Sequence, residues 1–328
     1  MKNFQTICAM LLGTTLIAAC GGGGSSTGVA SRSGNSGADK VLATEAGNAA
    51  EALEDGTSLK ASQRASSGWT RNFDAETAAL SGDSTATVRR NDQGGLDLTV
   101  GGQTIRFVAA DLSEDGYGFV LPDGSASIWA WDADSMAEAL DPSEGRYSLV
   151  FDYHSDNDDD TGRNGFLVVG TETADADLQA LPTATYEGYA RMRVASTTGF
   201  DDFDADVSEA RGDVTMVADF GAGTVSGEVT NMEGRAPRLE DPTRTWTPFD
   251  GSLAMEEAAI TGNGFTGAIT ADAGFNAEVG TIDGGSTYSG TFFGPGGEEV
   301  GGGINLTGTG AEDGLDYVGY GFWKAWQE

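Results

Sequence analysis

From Thr185 to Val194 the chain alternates: Tyr186, Gly188, Ala190, Met192 and Val194 share one face, and Thr185, Glu187, Tyr189, Arg191 and Arg193 take the other. A period of two marks a β-strand with one apolar and one polar face, because successive side chains leave opposite sides of the pleat. The pattern returns at Val214, Met216, Ala218 and Phe220, opposed by Asp213, Thr215 and Asp219. Gly221–Gly223 then turns the chain into Thr224–Thr230. Further runs lie at Ser252–Ile260, Phe265–Ala271, Phe275–Gly280, Thr287–Phe293, Val300–Thr307 and Tyr317–Trp326. Eight or nine short antiparallel strands with hairpin-length links are enough to close a barrel and remove exposed edges. With 50 glycines and 7 prolines in 328 residues and no G-X-Y period, the composition suits hairpins and tight turns.

The preceding stretch, 69–181, reads as a smaller β domain. Strands are expected at Thr85–Arg89, Leu96–Val100, Thr104–Ala109, Gly118–Leu121, Ser127–Trp131, Arg146–Tyr153 and Phe166–Gly170. Gly101-Gly102 and Asp123-Gly124 supply hairpin turns, and Ala133–Leu140 one helical turn. Tyr147, Leu149, Phe151 and Tyr153 alternate as large apolar residues and mark a core face. The expected fold is all-β: an antiparallel barrel of about eight strands over 182–328, preceded by the small domain.

The amino terminus reads as an export signal. Lys2 gives a short positive region, and Ile7–Leu12 with Thr14–Ala19 an apolar stretch too short to span a bilayer. The run Leu16-Ile17-Ala18-Ala19-Cys20 resembles a bacterial lipoprotein signal, which implies cleavage after residue 19 and acylation of Cys20. Several acyl chains anchor stably where one does not. By the same resemblance, Gly21 rather than Asp after the cysteine implies sorting to an outer membrane. Cys8 leaves with the signal, so the mature chain has no free thiol and no disulfide. Residues 20–68 are expected to be a flexible Gly/Ser/Ala-rich linker, with a short helix an option within Asp39–Leu53.

Charge excludes several functions. The net charge of −33, from 51 acidic against 18 basic residues, repels polyanions and argues against nucleic acid. The one histidine, His154, removes His-based triads and multi-histidine metal sites. Asp156–Gly162 resembles a calcium loop only superficially, since the sixth position is Thr161 and the twelfth Leu167. Asp201–Asp206 reads as an acidic loop between strands. No GxSxG and no phosphate-binding Gly-rich motif is present, and no catalytic residue, metal site or cofactor is expected. Trp129 and Trp131 share a strand face and suit either a core or a protein interface.

The stretch Gly290–Gly303 reads GTFFGPGGEEVGGG. Its pieces Phe292-Phe293-Gly294-Pro295 and Glu298-Glu299-Val300-Gly301-Gly302 resemble the C-terminal β-barrel of transferrin-binding protein B-like surface lipoproteins. Echoes stand at Ala184–Gly188, Asp219–Gly227 and Gly319–Phe322. The resemblance covers Ala184–Trp326; ahead of it only the layout is similar, with the small β domain in the place of a so-called handle. It implies an acylated outer-membrane lipoprotein, displayed at the cell surface, that holds a host protein or a small ligand such as haem. It assigns Phe292, Phe293, Gly294, Pro295, Glu298, Glu299, Gly301 and Gly302 to the barrel itself, with no ligand contacts among them. The chain carries one such lobe where the full transferrin-binding protein carries two, which weighs against transferrin.

The function expected on these grounds is binding: a lipid-anchored membrane protein that holds a soluble extracellular protein or small solute, with iron- or haem-related nutrient capture as the example the resemblance offers, without chemistry of its own. The alternative is a structural or adhesive envelope lipoprotein with no dedicated ligand.

Overall fold

Alternation closes the second half of the chain into a barrel. In the computed structural model the strands there are β11 (Ala184–Ser196), β12 (Ser208–Asp219), β13 (Thr224–Arg235), β14 (Thr247–Pro248), β15 (Leu253–Ala259), β16 (Gly264–Ala271), β17 (Gly280–Ile282), β18 (Thr287–Phe293), β19 (Glu299–Gly310) and β20 (Asp316–Gln327), numbered after ten in the first half. Each long strand pairs antiparallel with the next, and β20 returns to β11, so eight strands form a closed ring. The structure describes residues 40–61, 66–72, 75–80, 86–156, 161–200, 206–238, 240, 243–311 and 314–328. All of them fall in one compact unit, Ala38–Glu328.

The barrel interior is packed. Tyr186, Met192, Met216, Val229, Leu253, Phe265, Phe275, Tyr288, Phe292 and Trp323 are buried in one cluster. The indole N–H of Trp323 donates to the Ser289 carbonyl at 3.0 Å, and the Tyr186 hydroxyl to that of Gly297 at 2.8 Å, so the buried polar handles are satisfied. Gly290 lets the aromatics meet: a Cβ there would stand 2.5 Å from Phe265 and 2.6 Å from Trp323. Exposed outward positions carry Arg211, Asp213, Glu228 and Glu256. An apolar interior and a charged wall are the reverse of a lipid-facing barrel.

The first half forms two sheets. β1 (Leu59–Ala61), β4 (Ala86–Arg90), β5 (Leu96–Val100) and β6 (Gln103–Arg106) make a four-stranded sheet in the order β1-β4-β5-β6. β2 (Ser66–Asn72), β3 (Thr77–Leu80), β7 (Gly118–Val120), β8 (Ala126–Ala130), β9 (Ser148–Asp156) and β10 (Thr161–Gly170) make a six-stranded one in the order β3-β2-β10-β9-β8-β7. Both glycines of the Gly101-Gly102 turn have positive φ, 57° and 81°, as a two-residue hairpin of this kind requires. The six-stranded sheet is covered on both faces. Leu149, Phe151, Tyr153, Leu167 and Val169 pack toward the four-stranded sheet, while Val150, Phe166 and Val168 pack toward Tyr320 and Phe322 on the barrel.

Three expectations need correcting. Residues 40–61 are not a flexible linker. Asn48 caps the helix Ala49–Glu54 in a capping box with Glu51, and Ala49, Leu53, Leu59 and Ala61 lie in the core of the first half. Phe275–Gly280 is not a strand: Asp272 accepts the Phe275 N–H at 2.8 Å and starts the helix Ala273–Glu278, which buries Phe275 in the barrel core. Tyr147 precedes β9 and packs on the barrel side, away from the core of Leu149, Phe151 and Tyr153.

Candidate functional site

The polar face of β11 is exposed at Glu187 but turns inward further along the strand. Tyr189, Arg191 and Arg193 point to where Trp131 and Phe166 of the first half stand against Phe322. Burying guanidinium groups there requires partners. Arg193 donates to Asp152 through both terminal nitrogens, at 2.8 and 2.6 Å, and to Glu209 through Nε at 3.2 Å. This bidentate pair joins β11 of the barrel to β9 of the six-stranded sheet. Burial opposes its charge, but Asp152 and Glu209 hold the Arg193 guanidinium well above its ordinary value.

A second buried ion cluster joins the same two parts. Lys324 on β20 is fully buried; its Nζ lies 2.7 Å from Asp132, 3.3 Å from Glu299 and 2.8 Å from the Ser148 carbonyl. Glu299 accepts the N–H groups of Tyr147 and Ser148, at 3.0 and 2.9 Å, and the Ser148 hydroxyl at 2.6 Å. The Glu298-Glu299 pair thus divides its work. Glu298 accepts the Gly296 N–H at 2.9 Å and steadies the turn, while Glu299 fastens the first half to the barrel.

The other motif residues surround this joint. Phe292 points into the barrel core and Phe293 into the joint. Gly294 has φ 87°, a conformation L side chains rarely adopt, and its carbonyl accepts the Thr173 hydroxyl at 2.6 Å. Pro295 follows it in the half-buried turn, and Gly301 and Gly302 lie buried in β19, with a Cβ at Gly301 standing 3.2 Å from Val168.

Beside the joint, the outer wall carries a lattice of charges fixed by strand register. Arg193, Glu209 and Arg235 stand opposite one another across β11, β12 and β13, and so do Arg191, Arg211 and Glu233. Arg191 and Arg211 are direct cross-strand neighbours of like charge, an unfavourable pairing. Glu209 is the hub. Arg191 and Arg244 donate to it at 2.8 Å each, and Arg235 also pairs with it. Burial pushes the Glu209 carboxyl up, but Arg193, Arg191 and Arg235 together bring it down to about 2. Trp246 lies just ahead of β14, which pairs with β13, and the guanidiniums of Arg211 and Arg235 lie 4.4 Å from its ring centre, with Arg191 at 5.2 Å.

Other predicted positions fall elsewhere. Cys20 lies outside the described residues, as do 157–160 of the acidic turn and 201–205 of the acidic loop. His154 sits at a strand end, its ring nitrogens 3.0 Å from Arg71, 3.0 Å from Asn164 and 3.1 Å from Asp156. Trp131 belongs to the joint, and Trp129 lies half-buried over Gly118. No group of metal-ligating side chains occurs among the described residues. The alternation had placed Arg191 and Arg193 on one face, but not the convergence with Arg211, Arg235, Arg244 and Trp246. A signal was available: after residue 182 every basic residue except Lys324 lies within Arg191–Arg244.

The fold is thus a filled antiparallel barrel joined to a smaller β part through buried ion pairs. Residues 181–318, the barrel up to the start of its last strand, match the family described as the C-lobe and N-lobe beta barrels of Tf-binding protein B. No curated protein sequence matches the chain. Among solved structures it is similar to transferrin-binding protein B from serogroup B Neisseria meningitidis, at 14% identity and a TM-score of 0.41, covering 80% of this chain and 43% of that one. It is similar to the same protein from Haemophilus parasuis Hp5, at 16% identity and 0.41, covering 76% and 47%. It is also similar to the haemoglobin receptor HpuA from Kingella denitrificans, at 14% identity and 0.38, covering 88% and 92%. The chain thus spans under half the length of the two transferrin-binding structures. The assignment of the barrel rests on the family match and not on these distant likenesses.

Proposed function

We propose that this chain is a lipid-anchored protein of the bacterial outer membrane, displayed at the surface, that captures a soluble protein by its outer walls and loops and acts by binding alone. The observation that carries the reading is the filled barrel and its match to a family described by transferrin binding. With Tyr186, Phe265, Tyr288 and Trp323 occupying the interior, recognition falls to the exterior, which favours a macromolecular partner over a small solute. The joint supports this role, because a rigid unit loses less conformational freedom on binding. The lipoprotein-like run ending at Cys20 supplies the anchor.

Immobilised mature protein tested against transferrin and haemoglobin, the partners its relatives are described by, examines the proposal directly. Saturable binding of either at micromolar concentration is expected. Absence of binding to both at tens of micromolar would overturn protein capture of this kind and leave the envelope-spacer reading.

A further inference from the structure

We propose that Arg191, Arg211, Arg235 and Arg244, gathered around Trp246 on the barrel wall, form a binding site for the carboxylates of an acidic peptide segment. The inference rests on the capture reading in one respect only: the segment would belong to the captured partner.

The register of β11, β12 and β13 forces these groups together, and the charge there is unbalanced. Among the described residues the four arginines pair with two carboxylates, Glu209 and Glu233, in a protein whose overall charge is −33. Glu209 already serves three of them, and Arg211 pairs with Glu233 at 2.5 Å while its side chain remains 46% exposed. Arg191 keeps its buried Nε without a hydrogen-bond partner. Burial and the adjoining charges of Arg193 and Arg235 pull Arg191 down to about 10 in spite of Glu209, and Arg235 is lowered by burial and by Arg244 and Arg193. Like charges held this close are relieved by an incoming anion.

The geometry also points to a carboxylate. Guanidinium forks match planar carboxylates with paired hydrogen bonds, and the cluster already holds one carboxylate, that of Glu209. Trp246 keeps the forks in place by stacking. Arg244 is held at φ 53°, a left-handed conformation uncommon outside glycine, while its guanidinium reaches Glu209. Asp213, Glu228 and Glu256 stand exposed on the same barrel wall, so an acidic segment is attracted at the arginine cluster and repelled beside it, which favours docking there.

The test is calorimetric titration of the mature protein with hexaglutamate, with hexaglutamine and inorganic phosphate as comparisons. Saturable binding of hexaglutamate alone is expected, weakened about tenfold in each of Arg244→Gln and Arg211→Gln, and weakened again by 0.5 M salt to about the degree that screening sets. Arg211 is half exposed, so its variant keeps the test decisive if Arg244→Gln fails to fold. No hexaglutamate binding, binding unchanged in Arg211→Gln, or phosphate binding as tight as hexaglutamate would each overturn the site. Because free peptide is the probe, failure here leaves capture of transferrin or haemoglobin to be judged by its own assay.

Discussion

Lys324 Nζ lies 2.7 Å from Asp132 Oδ2, a contact between the last barrel strand and the loop that follows β8 of the six-stranded sheet, and the lysine has no solvent exposure. An ion pair so placed costs desolvation, and the cost is met only because Glu299 and the Ser148 carbonyl complete the cluster. The pair therefore matters most when one member is missing.

Lys324→Met removes the cation and leaves Asp132 and Glu299 buried without it. Loss of roughly 3–5 kcal/mol is expected in denaturant unfolding. A midpoint within error of wild type would mean the joint is hydrated and the two parts are only loosely docked.

Gly294→Ala places a side chain at φ 87° against Glu298 and Tyr147. A loss of about 1–3 kcal/mol is expected from backbone strain and crowding. The same substitution at Gly102, where φ is also positive but a Cβ would meet nothing within 4 Å, should cost less.

Glu209 titrates at 4.5 when free and near 2 in the folded protein. The folded state thus binds this proton less readily than the unfolded chain. Its stabilisation, about 3 kcal/mol, is complete above pH 4.5 and fades as the pH falls toward 2. Comparing acid unfolding of wild type with Glu209→Gln isolates the contribution: the variant should show a shallower loss of stability between pH 4.5 and 2. Parallel curves would contradict it.

Leu53→Ala tests the role of the segment ahead of β1. Leu53 is fully buried beside Leu59 and Ala61, so truncation should cost about 2–5 kcal/mol in thermal or denaturant unfolding. An unchanged midpoint would return 40–61 to the status of a linker.

The barrel was largely legible in the sequence because its strands have one apolar and one polar face, and Tyr186, Ala190 and Met192 all lie on the side that the alternation assigns to the core. Strand β9 was harder to read. Buried on both faces, it runs Leu149-Val150-Phe151 without a polar interval, and only the tertiary fold assigns Leu149 and Phe151 to one layer and Val150 to the other. The helix Ala49–Glu54 was obscured by low hydrophobicity, and β1 owes its place to a long-range pairing of Leu59 with Val88. Phe275 failed for a local reason: Asp272 acts as a helix cap in a stretch read as a strand. Most of the candidate site was hidden because the partners of Arg191 and Arg193 come from β9, β12, β13 and the segment leading to β14, and no sequence period connects them.

Capture of a soluble partner outside the cell requires that the barrel be on the outside. Intact cells are treated with a protease that cannot cross the outer membrane, with lysed cells as the control for cleavability, and the full-length chain is followed by blotting. The account predicts that the chain is lost as fast from intact cells as from lysate. Protection in intact cells, with cleavage only after lysis, would place the barrel in the periplasm and contradict surface capture.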